Sequence, residues 1–484
     1  MTTDASIPFD VDRLLVGGRW EDPSSTERVE LTSPYDESVI GSVPVVTRHE
    51  VDLAFERAGA ALESGSWSQM EPAERGRLLA RFADEMAARG EAIRRVSSVE
   101  TGVGISSVGG LARVTDIVLR QYADLAATYP FTEVRHWLGK EMTVERVPVG
   151  IALGIPPWNA PVPSMSFMVG PALAAGCPLV LKPAIEAPLA THLMAEAAVA
   201  AGLPEGVLSI LPAGAEIGEY MINHDAVDKI AFTGSTAVGR HIMEVASRRM
   251  VRTTLELGGK GAAILCDDVD IDAVAPRVVA AGLANSGQVC AAQTRIIVPA
   301  HRREEFVEAL VAAARAMPVG DPADERTAIG PLVMRRQRER VEEYIRVGRE
   351  EGATLALGGG RPPGHTSGWF VEPTVFVDVD NSMRIAREEI FGPVLVVIAA
   401  ADDDEAVRIA NDSDFGLVGS VFSSDESRAR GLARRMRFGQ VHVNGFGTSP
   451  GQPFGGFRQS GIGRKGNVEG LDAYLETRLI ETHA

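Results

Sequence analysis

The chain has 484 residues and a mass of 51.5 kDa, which at roughly 150 residues per domain allows about three domains with their own cores and excludes a single small binding module. Hydrophobic residues make up 45% and charged residues 23%, as in ordinary globular proteins, so disordered and fibrous classes are excluded. The net charge of -17 repels phosphate backbones and anionic lipid surfaces, so we expect neither nucleic acid nor a membrane as partner.

Three cysteines, Cys177, Cys266 and Cys290, are an odd number that cannot form a disulfide framework in a chain of this size, so we expect a reducing, cytoplasmic location. Residues 1–10 carry no basic segment followed by an apolar one, which argues against a secretory signal. Residues 147–181 contain no Asp, Glu, Lys or Arg, but seven prolines interrupt them. A membrane helix needs about 20 consecutive apolar, helix-compatible residues, so we expect buried strands and loops here.

The amino-terminal third is predicted to be helical. Thr47 and Glu50 have the spacing of a capping box, and apolar residues then follow at helical spacing. A second helix is predicted to start after Pro72 and to end before Gly90, and a third over about 111–127. Between them these helices must cover a sheet.

Residues 132–147 form two extended runs that meet at Gly139-Lys140, where a glycine at the first turn position favours a type II′ hairpin. Residues 474–480 also have the pattern of an extended segment. Because exposed strand edges usually need a partner, these two segments predict an oligomerisation element.

From residue 179 onward strand and helix signals alternate, the order typical of a doubly wound, parallel α/β sheet. The first alternation has predicted strands at Leu179–Leu181, Leu208–Leu211 and Lys229–Phe232 and helices near Leu189–Ala201 and Val238–Arg248. The second, long enough for another α/β domain, has predicted strands at Ala263–Cys266, Arg295–Val298, Val394–Ile398, Gly419–Phe422 and Val441–Val443.

Two acidic runs, Asp268–Asp272 and Asp402–Glu405, are each predicted to begin a helix, where the helix dipole favours negative charge. The alternating aspartates of the first run resemble the start of a calcium-binding loop. Ala273 stands where such a loop needs Gly, and Val279 where it needs Glu, so we expect no metal.

Cys290 ends the segment Asn285-Ser286-Gly287-Gln288-Val289-Cys290, whose small residues let the backbone approach a ligand closely. A free cysteine is either a nucleophile or, more often, a small buried hydrophobe, and both interpretations stay open at this point. The other two cysteines follow an alanine-rich helix pattern and end an apolar strand, which favours simple burial.

Three further motifs lie at predicted strand ends, where open α/β sheets bind ligands. Glu256 precedes Leu257-Gly258-Gly259-Lys260, and these glycines leave one side of its carboxylate open. Asn159 ends a proline-rich turn that fixes an amide suited to holding an oxyanion. Residues 232–239 join a strand to a helix whose N-terminus suits a pyrophosphate. Taken singly, each motif is more often an ordinary turn.

Together these motifs resemble the aldehyde dehydrogenase superfamily, in its hydrolytic NAD(P)-dependent branch. The resemblance covers nearly the whole chain. It extends, in family order, to Leu181–Ala184, Gly368–Thr374, Glu388–Val394 and Pro453–Phe457.

The resemblance implies a Rossmann-type nucleotide-binding domain at 1–129 and 149–257 and an α/β catalytic domain at 258–458. It also implies a small β oligomerisation element at 130–148 and 470–484, and therefore a homodimer or homotetramer.

The resemblance makes Cys290 the nucleophile, Glu256 the general base and Asn159 the oxyanion donor, helped by the Cys290 backbone N–H. It implies a cofactor site at Ile155, Trp158, Lys182, Gly234, Ser235, Leu257, Glu389 and Phe391, and no metal. Lys260 either takes a direct part in the chemistry or supports the glycine loop, and both interpretations stay open.

The implied reaction oxidises a small aldehyde to a carboxylic acid. The Cys290 thiolate, activated by Glu256 or by helix dipoles, adds to the aldehyde, and Glu256 deprotonates the water that hydrolyses the resulting thioester. Many NAD-preferring relatives have an acid where this chain has Ile185, with Glu186 next. NAD is therefore expected as the preferred cofactor, with some use of NADP.

The implied substrate tunnel is mostly apolar and has no arginine to anchor a substrate carboxylate. Its residues are Val162, Met165, Ser166, Phe167, Val289, Ala291 and Phe454. This lining favours uncharged aliphatic or aromatic aldehydes. A CoA-acylating dehydrogenase is the first alternative, against which Glu256 argues, and a non-catalytic structural protein on the same fold is the second.

Overall fold

The computed structural model describes residues 9–447 and 449–482. Residues 1–8, on which the expected absence of a secretory signal mainly depends, lie outside the described residues, as do the outermost ends of the predicted domains. In the described chain the helices are α1 (Arg48–Ser64), α2 (Pro72–Ala88), α3 (Gly90–Thr101), α4 (Ile105–Thr128), α5 (Pro161–Ala175), α6 (Leu189–Ala200), α7 (Ala215–Asn223), α8 (Thr236–Ser247), α9 (Ile271–Gly282), α10 (Arg303–Arg315), α11 (Arg335–Glu350), α12 (Arg384–Arg387), α13 (Asp403–Asn411), α14 (Glu426–Ala433) and α15 (Asn467–Asp472).

The strands lie in four sheets. They are β1 (Phe9–Asp10), β2 (Leu14–Val16), β3 (Arg19–Glu21), β4 (Arg28–Thr32), β5 (Val39–Pro44), β6 (Thr132–Trp137), β7 (Lys140–Pro148), β8 (Ala152–Ile155), β9 (Leu179–Leu181), β10 (Leu208–Ile210), β11 (Lys229–Thr233), β12 (Arg252–Glu256), β13 (Ala262–Leu265), β14 (Arg295–Pro299), β15 (Thr354–Leu357), β16 (Thr374–Val377), β17 (Val394–Ala400), β18 (Val418–Phe422), β19 (Gln440–Val443), β20 (Gly461–Ile462) and β21 (Leu475–Glu481).

The first large sheet has the strand order β20-β12-β11-β8-β9-β10-β2-β3. Its five central strands are parallel, and β20 and β2 pair antiparallel at its two sides, which confirms the predicted doubly wound sheet. Successive side chains of β9 pack in two different hydrophobic cores. Leu179 and Leu181 pack with α2, α4 and α5, whereas Val180 packs with α1, α7 and α8. Both faces of this sheet are therefore covered by helices.

The second large sheet, β15-β16-β17-β14-β13-β18-β19, is parallel except for β15. All five strands predicted for the second alternation belong to it. The two acidic runs begin helices as predicted: Asp270 caps α9, and Asp402 caps α13 by accepting from the Glu405 N–H at 2.8 Å.

The predicted hairpin and C-terminal segment form one small sheet, β21-β7-β6. One edge of the C-terminal strand is paired within the chain, because β21 pairs with β7 over its whole length. The predicted type II′ turn at Gly139-Lys140 is wrong. Lys140 is the first residue of β7, and the two loop residues are Leu138 and Gly139, both with positive φ, which makes a type I′ turn.

The amino-terminal helices α1 and α2 begin as predicted, and Thr47 and Glu50 form the capping box. Residues 161–175, expected as loops and strands, instead form the buried helix α5. Two of the prolines fall in its first turn, where the backbone N–H groups have no intrahelical partner, so the helix tolerates them. Within residues 9–447 and 449–482 no helix is both long and apolar enough to cross a membrane.

Candidate active site

The predicted site residues of the first sheet lie at the carboxyl ends of its parallel strands. Asn159 follows β8, Gly234 and Ser235 connect β11 to α8, and Glu256 is the last residue of β12. Ser235 caps α8, its hydroxyl accepting from the Val238 N–H at 3.4 Å. The backbone N–H groups of this helix N-terminus suit an anionic ligand.

A cleft of about 220 Å³ opens beside these strand ends and is also lined by Cys290, by α11 and by the loop that precedes β17. Trp158 and Phe391 meet edge to face across it, with ring centroids 5.3 Å apart. The lining residues are Pro157, Trp158, Asn159, Thr233, Gly234, Ser235, Glu256, Leu257, Gly258, Cys290, Gln337, Arg340, Glu389 and Phe391. The cleft thus brings together all three residues expected to carry the chemistry.

Asn159 is held against the loop that precedes Cys290. Its side-chain amide donates to the Gln288 carbonyl at 2.7 Å, and the Asn285 amide donates to the Asn159 carbonyl at 3.2 Å. Asn285, Ser286 and Gly287 all have positive φ, a conformation that non-glycine residues adopt only under constraint. This run turns the chain so that Cys290 faces the cleft.

Glu256 is a buried acid without a hydrogen-bond partner. Only 4% of its surface is exposed, and neither carboxylate oxygen has a partner within the described chain. Burial raises its pKa to about 8, and the charges of Lys465 and Arg464 oppose that rise. A carboxyl group that titrates near neutral pH is suited to general base catalysis.

Cys290 is partly exposed and packs, with Ala291, against the buried hydrophobic cluster of Leu417, Val418 and Phe454. Burial raises the pKa of its thiol to about 11; Lys465 lowers it, whereas Glu389 and Glu256 raise it further. The charge of a nearby carboxylate disfavours the thiolate. Glu256 can help Cys290 only by accepting its proton.

Glu389 lies over the glycine turn that follows Glu256. Its Oε1 accepts from the Gly259 N–H at 2.9 Å, and a Cβ on Gly258 would stand 2.4 Å from its Oε2, so a side chain at position 258 would displace the Glu389 carboxylate. Lys260 is 1% exposed and its Nζ has no hydrogen-bond partner in the described chain. Burial lowers the pKa of Lys260 to about 7, and the charge of Glu389 counteracts this.

Lys182 follows β9, away from the residues that line the cleft, and its Nζ donates to the Ala213 carbonyl at 2.6 Å. Burial lowers its pKa to about 8, with the charge of Glu186 acting in the opposite direction. Glu186 forms an ion pair with Arg336, which comes from the start of α11. The structure thus brings an arginine to a segment that has none in its own sequence.

Two residues of the cleft were missed by the sequence analysis. Gln337 donates to the Phe391 carbonyl at 2.8 Å, and Arg340 donates to the Glu389 carbonyl at 2.7 Å. Both belong to α11 and fix the segment that presents Glu389 and Phe391. Their partners lie about 50 residues away in the chain, and no local pattern in this charged helix marks them.

The residues expected to line the substrate tunnel differ in exposure. Val162 and Met165 are fully buried in the core beneath α5, whereas Val289 and Ala291 are partly exposed beside Cys290. Phe167 lines a second, much smaller cavity that also contains Glu256 and Lys465. Ile155 and Leu257 are buried at the ends of their strands. The assignment of Ile155 and Leu257 to the cofactor site stays a prediction, as does the assignment to the substrate tunnel of Val162, Met165, Phe167, Val289, Ala291 and Phe454.

Among residues 9–447 and 449–482, no group of three or more His, Cys, Asp or Glu side chains is arranged to hold a metal ion. Cys177 and Cys266 are buried as expected, with 0% and 2% of their surfaces exposed. Cys290 alone among the three cysteines lines the cleft.

The chain is similar to known proteins in both sequence and structure. Residues 20–480 match the family model for the aldehyde dehydrogenase family. The chain is 43% identical to geranial dehydrogenase of Castellaniella defragrans, covering 98% of this chain and 99% of that protein. It is 35% identical to betaine aldehyde dehydrogenase of Brucella canis, covering 96% of each. A crystal structure of an aldehyde dehydrogenase of Mycobacterium tuberculosis complexed with NAD+ superposes with a TM-score of 0.96 at 40% identity, covering 99% of both chains.

Proposed function

Because the chain belongs to the aldehyde dehydrogenase family and oxidises aldehydes to acids with NAD, we propose that its substrates are uncharged, apolar aldehydes and that Cys290, Glu256 and Asn159 perform the chemistry. The observation that carries the assignment is the shared cleft: a thiol, an unpartnered carboxyl group and an anchored amide face one space. These groups are the nucleophile, base and oxyanion donor that aldehyde oxidation through a thioester needs.

The cleft fits NAD. The α8 N-terminus, with Gly234 and Ser235, would hold the pyrophosphate, and Lys182 would contact the adenosine ribose. Glu389 and Phe391, fixed by α11, would hold the nicotinamide side. When bound, NAD supplies the acceptor for the hydride that leaves the aldehyde carbon.

In the first step the thiol proton of Cys290 passes to the Glu256 carboxylate, directly or through one water, because the thiol is neutral at rest. The thiolate sulfur then bonds to the aldehyde carbon, and the carbonyl oxygen becomes an alkoxide. The Asn159 amide and the Cys290 backbone N–H donate hydrogen bonds to that oxygen. Loss of hydride from the carbon leaves a thioester on Cys290.

Glu256 then releases the thiol proton to solvent, and in the second step it removes a proton from a water molecule that attacks the thioester carbonyl. The carbon–sulfur bond breaks, the acid leaves, and Cys290 is protonated again. The missing hydrogen-bond partners of Glu256 suit this role, because a carboxyl group tied into an ion pair would be a weaker base.

The proposed substrate class rests on the apolar surroundings of Cys290. Phe454, Ala291 and Leu417 pack beside the thiol in one hydrophobic cluster. Geranial, the substrate in the name of the 43% identical relative, is an uncharged apolar aldehyde. Both observations favour aliphatic or aromatic aldehydes without a charge.

The decisive experiment measures NADH formation with hexanal, benzaldehyde and geranial for the wild type and for Cys290→Ala. We expect Cys290→Ala to retain less than about 1% of the wild-type turnover while its NAD affinity stays nearly unchanged. Cys177→Ala and Cys266→Ala are the matched controls and should remain active. Turnover that depends on added CoA would instead identify the acylating alternative.

We also assign the nucleotide-binding domain to 1–129 and 149–257, the catalytic domain to 258–458, and an oligomerisation element to 130–148 and 470–484. The four-sheet arrangement supports this division, although β20 joins the first sheet from beyond residue 458. The edge strands β6 and β21 expose the apolar residues Val134, Trp137, Leu479 and Ile480. Pairing of these edges between copies of the chain would cover them.

A further inference from the structure

The ammonium group of Lys465 lies over two aromatic rings beside the catalytic cleft. Its Nζ is 4.7 Å from the ring centroid of Phe454 and 5.0 Å from that of Phe167. These distances are within the range of cation–π attraction. Both rings belong to the set that the resemblance assigns to the aldehyde tunnel, so a positive charge lies against two walls of that proposed tunnel.

The backbone fixes Lys465 directly opposite Phe454. The Phe454 N–H donates to the Lys465 carbonyl at 2.7 Å, and the Lys465 N–H donates to the Phe454 carbonyl at 2.9 Å. This antiparallel pair sets the start of the lysine side chain beside the phenylalanine ring. The position of the ammonium group therefore follows from main-chain geometry as well as from the attraction of the rings.

Within the described chain the Lys465 ammonium has no carboxylate within ion-pair distance and no hydrogen-bond partner. Lys465, Phe167 and Glu256 line the same small cavity of about 20 Å³. Cys290 packs against the hydrophobic cluster that contains Phe454. The charge of Lys465 thus lies close to the reacting groups without being neutralised by a partner.

We propose that Lys465 is a specificity-determining residue, whose ammonium group occupies the faces of Phe167 and Phe454 and thereby excludes aldehydes that carry a positive charge. The inference rests on the proposed function, because it concerns the substrates of the Cys290 site. Aromatic faces are the usual recognition surface for quaternary ammonium ligands. Here an internal cation occupies those faces and repels a second one.

The experiment compares two aldehydes of the same shape that differ in charge. Betaine aldehyde carries a trimethylammonium group, and 3,3-dimethylbutanal has an uncharged tert-butyl group in its place. The measured quantity is the ratio of kcat/KM for the neutral aldehyde to kcat/KM for the cationic one. We expect Lys465→Met to lower this ratio by about 10- to 100-fold.

This ratio separates the recognition of the substrate's charge from the reactivity of Cys290 and Glu256. Any effect of Lys465 on Cys290 or Glu256 acts on both aldehydes and divides out, as does the different hydration of the two aldehydes in water. Lys465→Arg keeps the charge and should keep the ratio within about threefold. Arg464→Gln is the matched control, because Arg464 lines the same small cavity but its guanidinium lies over Phe457 and donates to the Gly456 and Gly463 carbonyls, whereas the ammonium of Lys465 lies over Phe167 and Phe454.

With an anionic aldehyde the ratio of neutral to charged kcat/KM should change in the opposite direction, which separates an effect of charge from an effect of tunnel size. Succinic semialdehyde is compared with pentanal, and Lys465→Met should raise the ratio of neutral to anionic kcat/KM. A larger tunnel alone would move both comparisons in the same direction. Lys465→Gln, which also removes the charge, serves if Lys465→Met does not fold.

The proposal is overturned if both neutral variants change the cationic ratio by less than about twofold, or if the cationic and anionic comparisons move in the same direction. A different outcome tests the proposed function itself. If the wild type forms no NADH with any of 3,3-dimethylbutanal, pentanal, hexanal, benzaldehyde and geranial, the proposed function is contradicted and not the role of Lys465 alone.

Discussion

The side-chain amide of Asn159 donates a hydrogen bond of 2.7 Å to the backbone carbonyl of Gln288, two residues before Cys290. An amide group has two N–H donors. One of them therefore holds the side chain against the cysteine loop, which leaves the second for an oxyanion formed at Cys290. The position of the donor is coupled in this way to the position of the nucleophile.

Replacing Asn159 by Ala should lower kcat by about 10²- to 10³-fold, because the alkoxide would lose its side-chain donor. Asn285→Gly is the control: it removes the 3.2 Å bond to the Asn159 carbonyl but tolerates the positive φ at this position. We expect that variant to lose less than about tenfold. Equal losses in both variants, measured by steady-state kinetics, would assign Asn159 a role in holding the loop only.

Replacing Glu256 by Gln should separate the two halves of the reaction. Formation of the thioester needs the Cys290 thiolate, whose proton can pass to water when Glu256 is absent, whereas hydrolysis of the thioester needs the base; one equivalent of NADH should therefore form per active site, more slowly than in the wild type, and turnover should then stop. Rapid-mixing absorbance would show the burst, and mass spectrometry of the intact protein would show the acyl adduct. A variant without any burst would mean that Glu256 is also the required acceptor of the Cys290 proton.

The rate of thioester hydrolysis should rise with pH around the Glu256 pKa of about 8, because only the carboxylate form accepts a proton from water. The positive charge of Lys465 lowers the pKa of Glu256. Lys465→Met should therefore move the midpoint of the rise to higher pH, and Lys465→Arg should leave it in place. The check is a single-turnover measurement of acyl-enzyme decay between pH 6 and 10; a midpoint that moves to lower pH in Lys465→Met would contradict the assignment of the charge effect.

Much of the fold was predictable from local sequence signals. The capping box of α1 and the strand–helix alternation after residue 179 depend on neighbouring residues, and the structure has these elements at the predicted places. The strands of residues 9–44 were missed because their pairing partners lie elsewhere: β2, for example, pairs with β10, almost 200 residues away. The turn at Leu138 was misassigned because no local rule favours a leucine with positive φ.

The candidate site was predictable only in part for the same reason. Cys290, Glu256 and Asn159 each belong to a motif that the sequence displays, and the structure brings them to one cleft. Lys465 and Arg336 carry no such signal. Their importance comes from contacts with Phe454 and Glu186, which only the tertiary structure shows.

Adding charge to the outer edges of the small sheet should weaken self-association. Leu479 on β21 is 57% exposed, and we expect Leu479→Lys to shift the protein toward monomers in light scattering. Met250 is 84% exposed and lies outside that sheet, so Met250→Lys is the matched control and should leave assembly unchanged. A wild-type protein that is monomeric at micromolar concentration would contradict the proposed oligomerisation element.

The ratio of kcat/KM for NAD to that for NADP should favour NAD by a modest factor. Ile185 neither accepts a hydrogen bond from the ribose hydroxyls nor repels a 2′-phosphate, whereas an acid at this position would do both. Ile185→Glu should therefore shift the ratio further toward NAD. A wild type that favours NADP by more than about tenfold would contradict this prediction, since one charge contact in a partly solvated pocket is worth only about 1 to 3 kcal/mol.

The ion pair between Glu186 and Arg336 gives this prediction a second, independent test. Each partner neutralises the other, so the pair as a whole neither attracts nor repels a phosphate strongly. Arg336→Gln leaves the carboxylate of Glu186 uncompensated, and NADP should then be disfavoured more strongly. Glu186→Gln leaves the exposed guanidinium of Arg336 without its partner, and NADP should then gain. Opposite shifts of the NAD to NADP ratio in these two variants would locate the ion pair beside the 2′-position of the bound cofactor, whereas equal or absent shifts would place it too far away to contribute to cofactor choice.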